Sequence, residues 1–140
     1  MSSCYHVVLD TNVVISTMLK RHSVPGMIVD CCLEGVLIPV MDVRVLNEYQ
    51  EVLSRPKFRF PQDIIEDFLA GLRERAVIVE AEAMDLDFAD AADKKFYEIA
   101  VESRKTRETF LVTGNLRHFP QVQFVISPRE MLDLIYSGLP

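Results

Sequence analysis

Three acids in widely separated stretches carry the chemistry open to this 140-residue chain. Asp10 ends the apolar run Val7-Val8-Leu9. Glu48 stands inside Asn47-Glu48-Tyr49-Gln50-Glu51-Val52-Leu53, and Asp93 closes Asp90-Ala91-Ala92-Asp93. No Ser/His/Asp or Cys/His arrangement accompanies them, so nucleophile–base catalysis has no candidate. Carboxylates alone point to hard-cation chemistry: Mg2+ and Mn2+ prefer oxygen ligands, keep several waters and take few protein carboxylates. Such an ion generates a hydroxide nucleophile and steadies charge on a phosphodiester; a two-metal version holds its ions ~3.5–4 Å apart. Asp and Glu number 21 in all, so these three matter only if the fold gathers them.

Each acid also has a plainer reading. Asp10 can be a turn or cap residue at the start of a helix. Glu48 can be an edge residue of an amphipathic helix, with Arg44 one turn ahead as its partner. Asp90 and Asp93 can form a D-x-x-D helix cap.

The elements that must position them alternate strand and helix. Val7–Leu9 is too uniformly apolar to have a wet face, as in parallel sheets covered on both sides. A helix follows over Asn12–Lys20, then a second from Pro25 to Leu33 ended by Gly35. Val36–Val40 reads as a strand, against which Pro39 is a mild objection. Asp42 is a candidate cap for a helix to Leu53, whose buried face carries Val45, Leu46, Tyr49, Val52 and Leu53. On that wheel Glu48 falls at the margin of the face, and Glu51 nearly opposite it. Gln62–Ala76 is amphipathic, and Val77–Val79 is a short strand. A helix over Ala91–Lys105 buries Phe96, Ala100 and Ser103, and Asp93 falls on the same side. An inward carboxylate needs a partner, because an unpaired buried charge is costly. Phe110–Val112 is a strand ending in Thr113-Gly114-Asn115, Val122–Ile126 a last strand, and Pro128 opens a C-terminal helix. His118 is a surface loop residue with nothing nearby to pair with.

This alternation argues for an α/β fold: a single three-layer domain over residues 1–140, with a mostly parallel central sheet of about four to five strands flanked by helices. In such sheets ligands bind at the carboxyl ends of strands. Asp10 and Thr113-Gly114-Asn115 lie at strand ends, and Glu48 and Asp93 reach in from helices.

No apolar run approaches the ~18 residues that span a bilayer, and the N-terminus has no basic leader region. Three cysteines without C-x-x-C spacing, two of them adjacent, read as reduced packing thiols in a cytoplasmic protein. The formal charge of −6 argues against bulk polyanion binding but allows an acidic metal site with a basic rim. Candidates for that rim are Arg55, Lys57 and Arg59, interleaved with Phe58 and Phe60, and also Lys94, Lys95 and Arg117.

Four motifs in order resemble the PIN-domain family, in its VapC-like ribonuclease branch, the toxin half of toxin–antitoxin modules. They are Val8-Leu9-Asp10-Thr11-Asn12-Val13; Asn47–Leu53 with Arg55-Pro56-Lys57-Phe58; Asp90–Ala100; and Leu111-Val112-Thr113-Gly114-Asn115 with His118-Phe119-Pro120. The resemblance implies a Mg2+- or Mn2+-dependent endoribonuclease acting on RNA, with Asp10, Glu48 and Asp93 as metal-binding acids. By the same carry-over Thr113 and Asn12 support the site, and Asp90 is a further ligand candidate. It also implies a small antitoxin partner and a homodimer, for which nothing in the chain specifies an interface. The fourth acid that usually follows Thr-Gly is Asn115 here; its amide can coordinate a cation but supplies no charge. The alternative is therefore a catalytically weakened module that binds RNA or a partner. A phosphatase with Asp10 as nucleophile is a third reading, disfavoured because Asp10-Thr11-Asn12 is not the D-x-D that chemistry uses.

Overall fold

A computed structural model describes residues 4–138. Five strands form one sheet: β1 (Tyr5–Leu9), β2 (Leu37–Met41), β3 (Val77–Ile78), β4 (Thr109–Val112) and β5 (Val125–Ile126). All neighbours are parallel, in the order β3-β2-β1-β4-β5. Six α-helices among the described residues flank the sheet: α1 (Thr11–Leu19), α2 (Val24–Glu34), α3 (Val43–Leu53), α4 (Gln62–Arg75), α5 (Lys94–Arg104) and α6 (Pro128–Ser137). The α/β expectation therefore holds, with every strand parallel.

The strand order dictates where a ligand can sit. From β1 the chain steps outward to β2 and β3, then returns across the sheet to β4 and β5. With right-handed crossovers, that reversal puts α5 on the face opposite α1–α4. Accordingly α5 packs on β1, β2 and β4, while α2 packs on β2 beside α1, α4 and α6. The reversal occurs between β1 and β4, whose carboxyl ends flank a crevice that no connecting loop crosses.

Burial follows the apolar pattern. Val7, Val8 and Leu9 are fully enclosed, as are Leu111 and Val112 beside them. Pro39 is accommodated because β3 begins opposite Val40, so at the proline β2 has a partner on one side only. Gly26 is demanded by the α1–α2 turn: a Cβ there would lie 2.0 Å from the Arg21 carbonyl oxygen. The three cysteines are free. Cys32 is buried and burial pushes its thiol up, which suits packing and disfavours the reactive thiolate.

Three local expectations are corrected. The helix expected from Ala91 begins as a 3-10 turn over Ala91–Asp93, because Asp90 accepts from the Ala92 N–H (2.9 Å) and tightens the first turn; α5 proper starts at Lys94. The strand expected over Val122–Ile126 shrinks to Val125–Ile126, since turn bonds from Val122 N–H to Pro120 O and from Val125 N–H to Val122 O curl the segment before it. Arg44 does not pair with Glu48. It bridges Asp42 (2.8 Å) and Glu98 (3.0 Å), while the other Glu98 oxygen accepts from the Met84 N–H (2.7 Å). Asp42 also caps α3 through Val45 N–H (3.0 Å). This network ties β2, α3, α5 and the acidic connector before α5 into one frame.

Tyr49 completes the frame from α3. Its buried hydroxyl donates to the Leu9 carbonyl (2.5 Å), one residue before Asp10. Tyr49→Phe keeps the shape and removes the bond, so it is expected to cost about 1–3 kcal/mol in urea unfolding of the metal-free protein. Unchanged stability would show that the bond contributes nothing.

Candidate active site

Asp10 is placed by backbone pairing. Leu9 stands opposite Val112, and the Asp10 N–H continues the ladder to the Val112 carbonyl (3.0 Å). Its carboxyl is 6% exposed, and Oδ2 accepts from the hydroxyl of fully buried Thr113 (2.6 Å). That hydroxyl in turn accepts from the Asn115 N–H (2.9 Å). Asn12 lies across the same turn, its Oδ1 3.5 Å from the Gly114 N–H.

Glu48 reaches in from the second turn of α3. The Thr11 hydroxyl donates to one of its oxygens, and Lys95 from α5 closes on the other at 2.5 Å. Asp93, at the foot of α5, lies 3.2 Å from His118 Nδ1. The expectation that His118 has no partner is thus corrected: the 3-10 turn Leu116–His118 carries its ring back over Asp93. Asp90 is exposed, with one oxygen committed to its cap.

The electrostatics tie the acids together. Burial pushes the Asp10 carboxyl above its ordinary value; the Thr113 bond opposes this and the nearby Asp93 charge adds to it. Burial likewise raises Asp93, reinforced by Asp90 and opposed by His118. Tyr49 is raised well above the usual phenol range by burial, with Asp10 and Glu48 contributing. Asp10 thus feels the charge of Asp93, and Tyr49 feels those of both Asp10 and Glu48, at the β1/β4 reversal. Beside it opens a cleft of about 470 Å³ lined by Gly114, Asn115, Arg117, His118 and Ser127.

The basic candidates divide. Arg117 is exposed and lines this cleft. Lys94 is half-buried at the start of α5, and the Lys95 ammonium is turned inward to Glu48. Arg55, Lys57 and Arg59 sit at the turn between α3 and α4, with Arg55 about 10 Å along the helix axis from Glu48. There Arg55 pairs with Glu51 (3.0 Å), Lys57 lies 5.1 Å from the Phe58 ring centre, and Phe58 stacks on Phe60 at 5.6 Å. That strip is thus internally engaged. The Lys95–Glu48 and His118–Asp93 contacts were not legible as pairs. Only the wheel positions hinted at them, Asp93 and Glu48 both requiring a partner.

A parallel α/β sheet with acids at its point of reversal is an arrangement that places oxygen ligands where such sheets bind their ligands. The PIN domain model matches residues 6–117, and the chain belongs to that family. PIN domains are generally nucleases, hydrolases that use divalent metals. The chain is also 28% identical over 112 residues to the uncharacterized protein MJ1680 of Methanocaldococcus jannaschii, covering 78% of this chain and 70% of the relative. Among the described residues no three His, Cys, Asp or Glu side chains close into a ready-made metal cluster. The donor types nonetheless fit a hard divalent ion: carboxylate and amide oxygens, with Asp10 burdened by burial and the Asp93 charge, and Asp93 by burial and the Asp90 charge.

That burden has a pH signature. A carboxyl raised in the folded state binds its proton more tightly there than in the unfolded chain. Its contribution favours folding below the unfolded value and is lost as pH rises through the folded value. Metal-free Asp10→Asn is therefore expected to be more stable than wild type near pH 7, the gap closing toward about pH 3–4, where carboxyls protonate. Urea unfolding across that range checks it; a gap independent of pH would remove Asp10 as its source.

Proposed function

We propose that the protein is a divalent-metal-dependent endoribonuclease in which Asp10, Glu48 and Asp93 hold Mg2+ or Mn2+. What supports this reading is that Asp10, at the sheet's reversal point, feels the Asp93 charge while Glu48 is tied to the same strand end through Thr11, beside a cleft edged by Arg117 and His118. When bound, the ion supplies a hydroxide equivalent and a Lewis acid for phosphodiester hydrolysis. The chain's own residues do the rest. Thr113 holds the Asp10 carboxyl through its hydroxyl. Thr11 orients Glu48. Arg117 offers positive charge to an RNA phosphate entering the cleft. Asp90 and the Asn115 amide are further oxygen donors at the rim. The family's nuclease character makes RNA the substrate class to test first.

The test is cleavage of single-stranded and structured RNA by purified protein with Mn2+, with chelator, and beside Asp10→Asn. Cleavage is expected to vanish with chelator and to fall at least about 10²-fold in the variant, the scale of losing one electrostatic participant. Equal activity in both proteins would mean a contaminant.

A second reading, an RNA- or partner-binding module with weakened catalysis, is favoured by Asn115, which leaves the site one charge short. Asn115→Asp distinguishes the two. A large gain in cleavage marks a naturally weakened site, and no change removes that account. The toxin role, the antitoxin, a homodimer and a cytoplasmic setting rest on the motif resemblance and on the free thiols. Growth arrest on expression in a bacterial host, relieved by Asp10→Asn, would support the toxin role. Among the described residues no helix is long and apolar enough to cross a membrane.

A further inference from the structure

The Lys95 ammonium is held too closely for a solvent-facing cation. It lies 2.5 Å from Glu48 Oε1, donates to the Ala92 carbonyl at 2.5 Å and sits 5.0 Å from the centre of the Phe96 ring. Its side chain is 14% exposed and that of Glu48 23%. The second Glu48 oxygen is taken by the Thr11 hydroxyl. Both oxygens of this acid are thus engaged by the protein, and one partner is a full positive charge on the helix that also bears Asp93. Exposed ion pairs contribute little and form casually. This one is mostly withdrawn from water, where a charge without its partner is costly.

We infer that Lys95 is an internal counter-cation for Glu48, standing where a divalent ion must bring its own charge, so that metal entry is an exchange and not a simple addition. This rests on the metal-site reading above. Two positive charges cannot share one half-buried carboxylate cheaply, so the incoming ion displaces the ammonium from Glu48 and turns it outward. In the metal-free protein the ammonium instead relieves the repulsion among Glu48, Asp10 and Asp93. Lys95 is therefore a positioning residue acting through Glu48, and it sets how much free metal the site requires.

The experiment is Mn2+ titration calorimetry on wild type, Lys95→Met and Lys95→Arg. The Met variant keeps the apolar stem and loses the competitor, so it is expected to bind Mn2+ about tenfold more tightly, as the loss of one nearby positive charge implies. Its metal-free melting temperature should fall and its gain on adding Mn2+ should exceed that of wild type. The Arg variant retains the charge and should stay near wild type. Equal or weaker Mn2+ binding by Lys95→Met overturns the inference. A wild-type readout covers the case in which Lys95→Met fails to fold: acylation by an N-hydroxysuccinimide ester, followed by mass spectrometry with exposed Lys57 as internal reference. Lys95 should be protected without metal and labelled several-fold faster at saturating Mn2+; labelling unaffected by Mn2+ overturns the exchange. If wild type binds no Mn2+, the metal-site reading itself fails, an outcome distinct from binding that ignores Lys95.

Discussion

Leu9 stands opposite Val112, and the geometry of the site descends from that register. Pairing in the β1–β4 ladder puts the next residue of each strand, Asp10 and Thr113, side by side at the carboxyl edge. Their 2.6 Å hydrogen bond then follows without any long side chain having to find its partner. A one-residue slip would turn Asp10 into the core face and Thr113 away from it. What prevents the slip is the apolar content of both strands. Val7, Val8, Leu9, Leu111 and Val112 are all enclosed, so a slip would have to repack each of them against different neighbours. The rigidity of Asp10 is here a property of the sheet, inherited from its apolar neighbours.

The chain separates two kinds of buried acid. Asp42 and Glu98 are as hidden as Asp10, yet their oxygens meet donors: Arg44 and Val45 N–H for one, Arg44 and Met84 N–H for the other. These acids serve the frame, holding α3 against α5 and so fixing the distance between Glu48 and Asp93. Asp10 receives less than its burial demands, and its carboxyl is raised accordingly. A fully satisfied acid has nothing left to offer a ligand, whereas an under-satisfied one stores a preference for positive charge. The difference separates acids committed to the frame from one left with a demand for positive charge.

Much of this was open to reading from residues alone, and the reasons are specific. Val7–Leu9 could only be a doubly covered strand, and alternating strand and helix periods left few topologies besides a parallel sheet. Asp10 after a strand and Asp93 on the inward side of a helix were visible from period and position. What stayed hidden were contacts between elements distant in sequence. Thr11 to Glu48 spans 37 positions, Arg44 to Glu98 spans 54 and Asp93 to His118 spans 25. No periodicity encodes such pairs, because they depend on the depth at which helices settle on the sheet. Lys95 is the sharpest instance. Read as one of two adjacent lysines it is a solvated contact for RNA, and only the rotation of α5 turns it inward while Lys94 stays at the rim.

The same rotation bears on how an acidic chain can handle a polyanion. With a formal charge of −6, the protein as a whole repels RNA. At the site, however, Lys95 faces an acid, so local charge is nearer balance than the acid count suggests. Arg117 at the cleft then need not overcome three bare carboxylates, and a divalent ion shifts the local balance to positive. Attraction for a phosphate would therefore be switched on by the cation and confined to the crevice, leaving the rest of the surface repulsive. Such an arrangement favours encounter at one point of a long strand over diffuse coating of it.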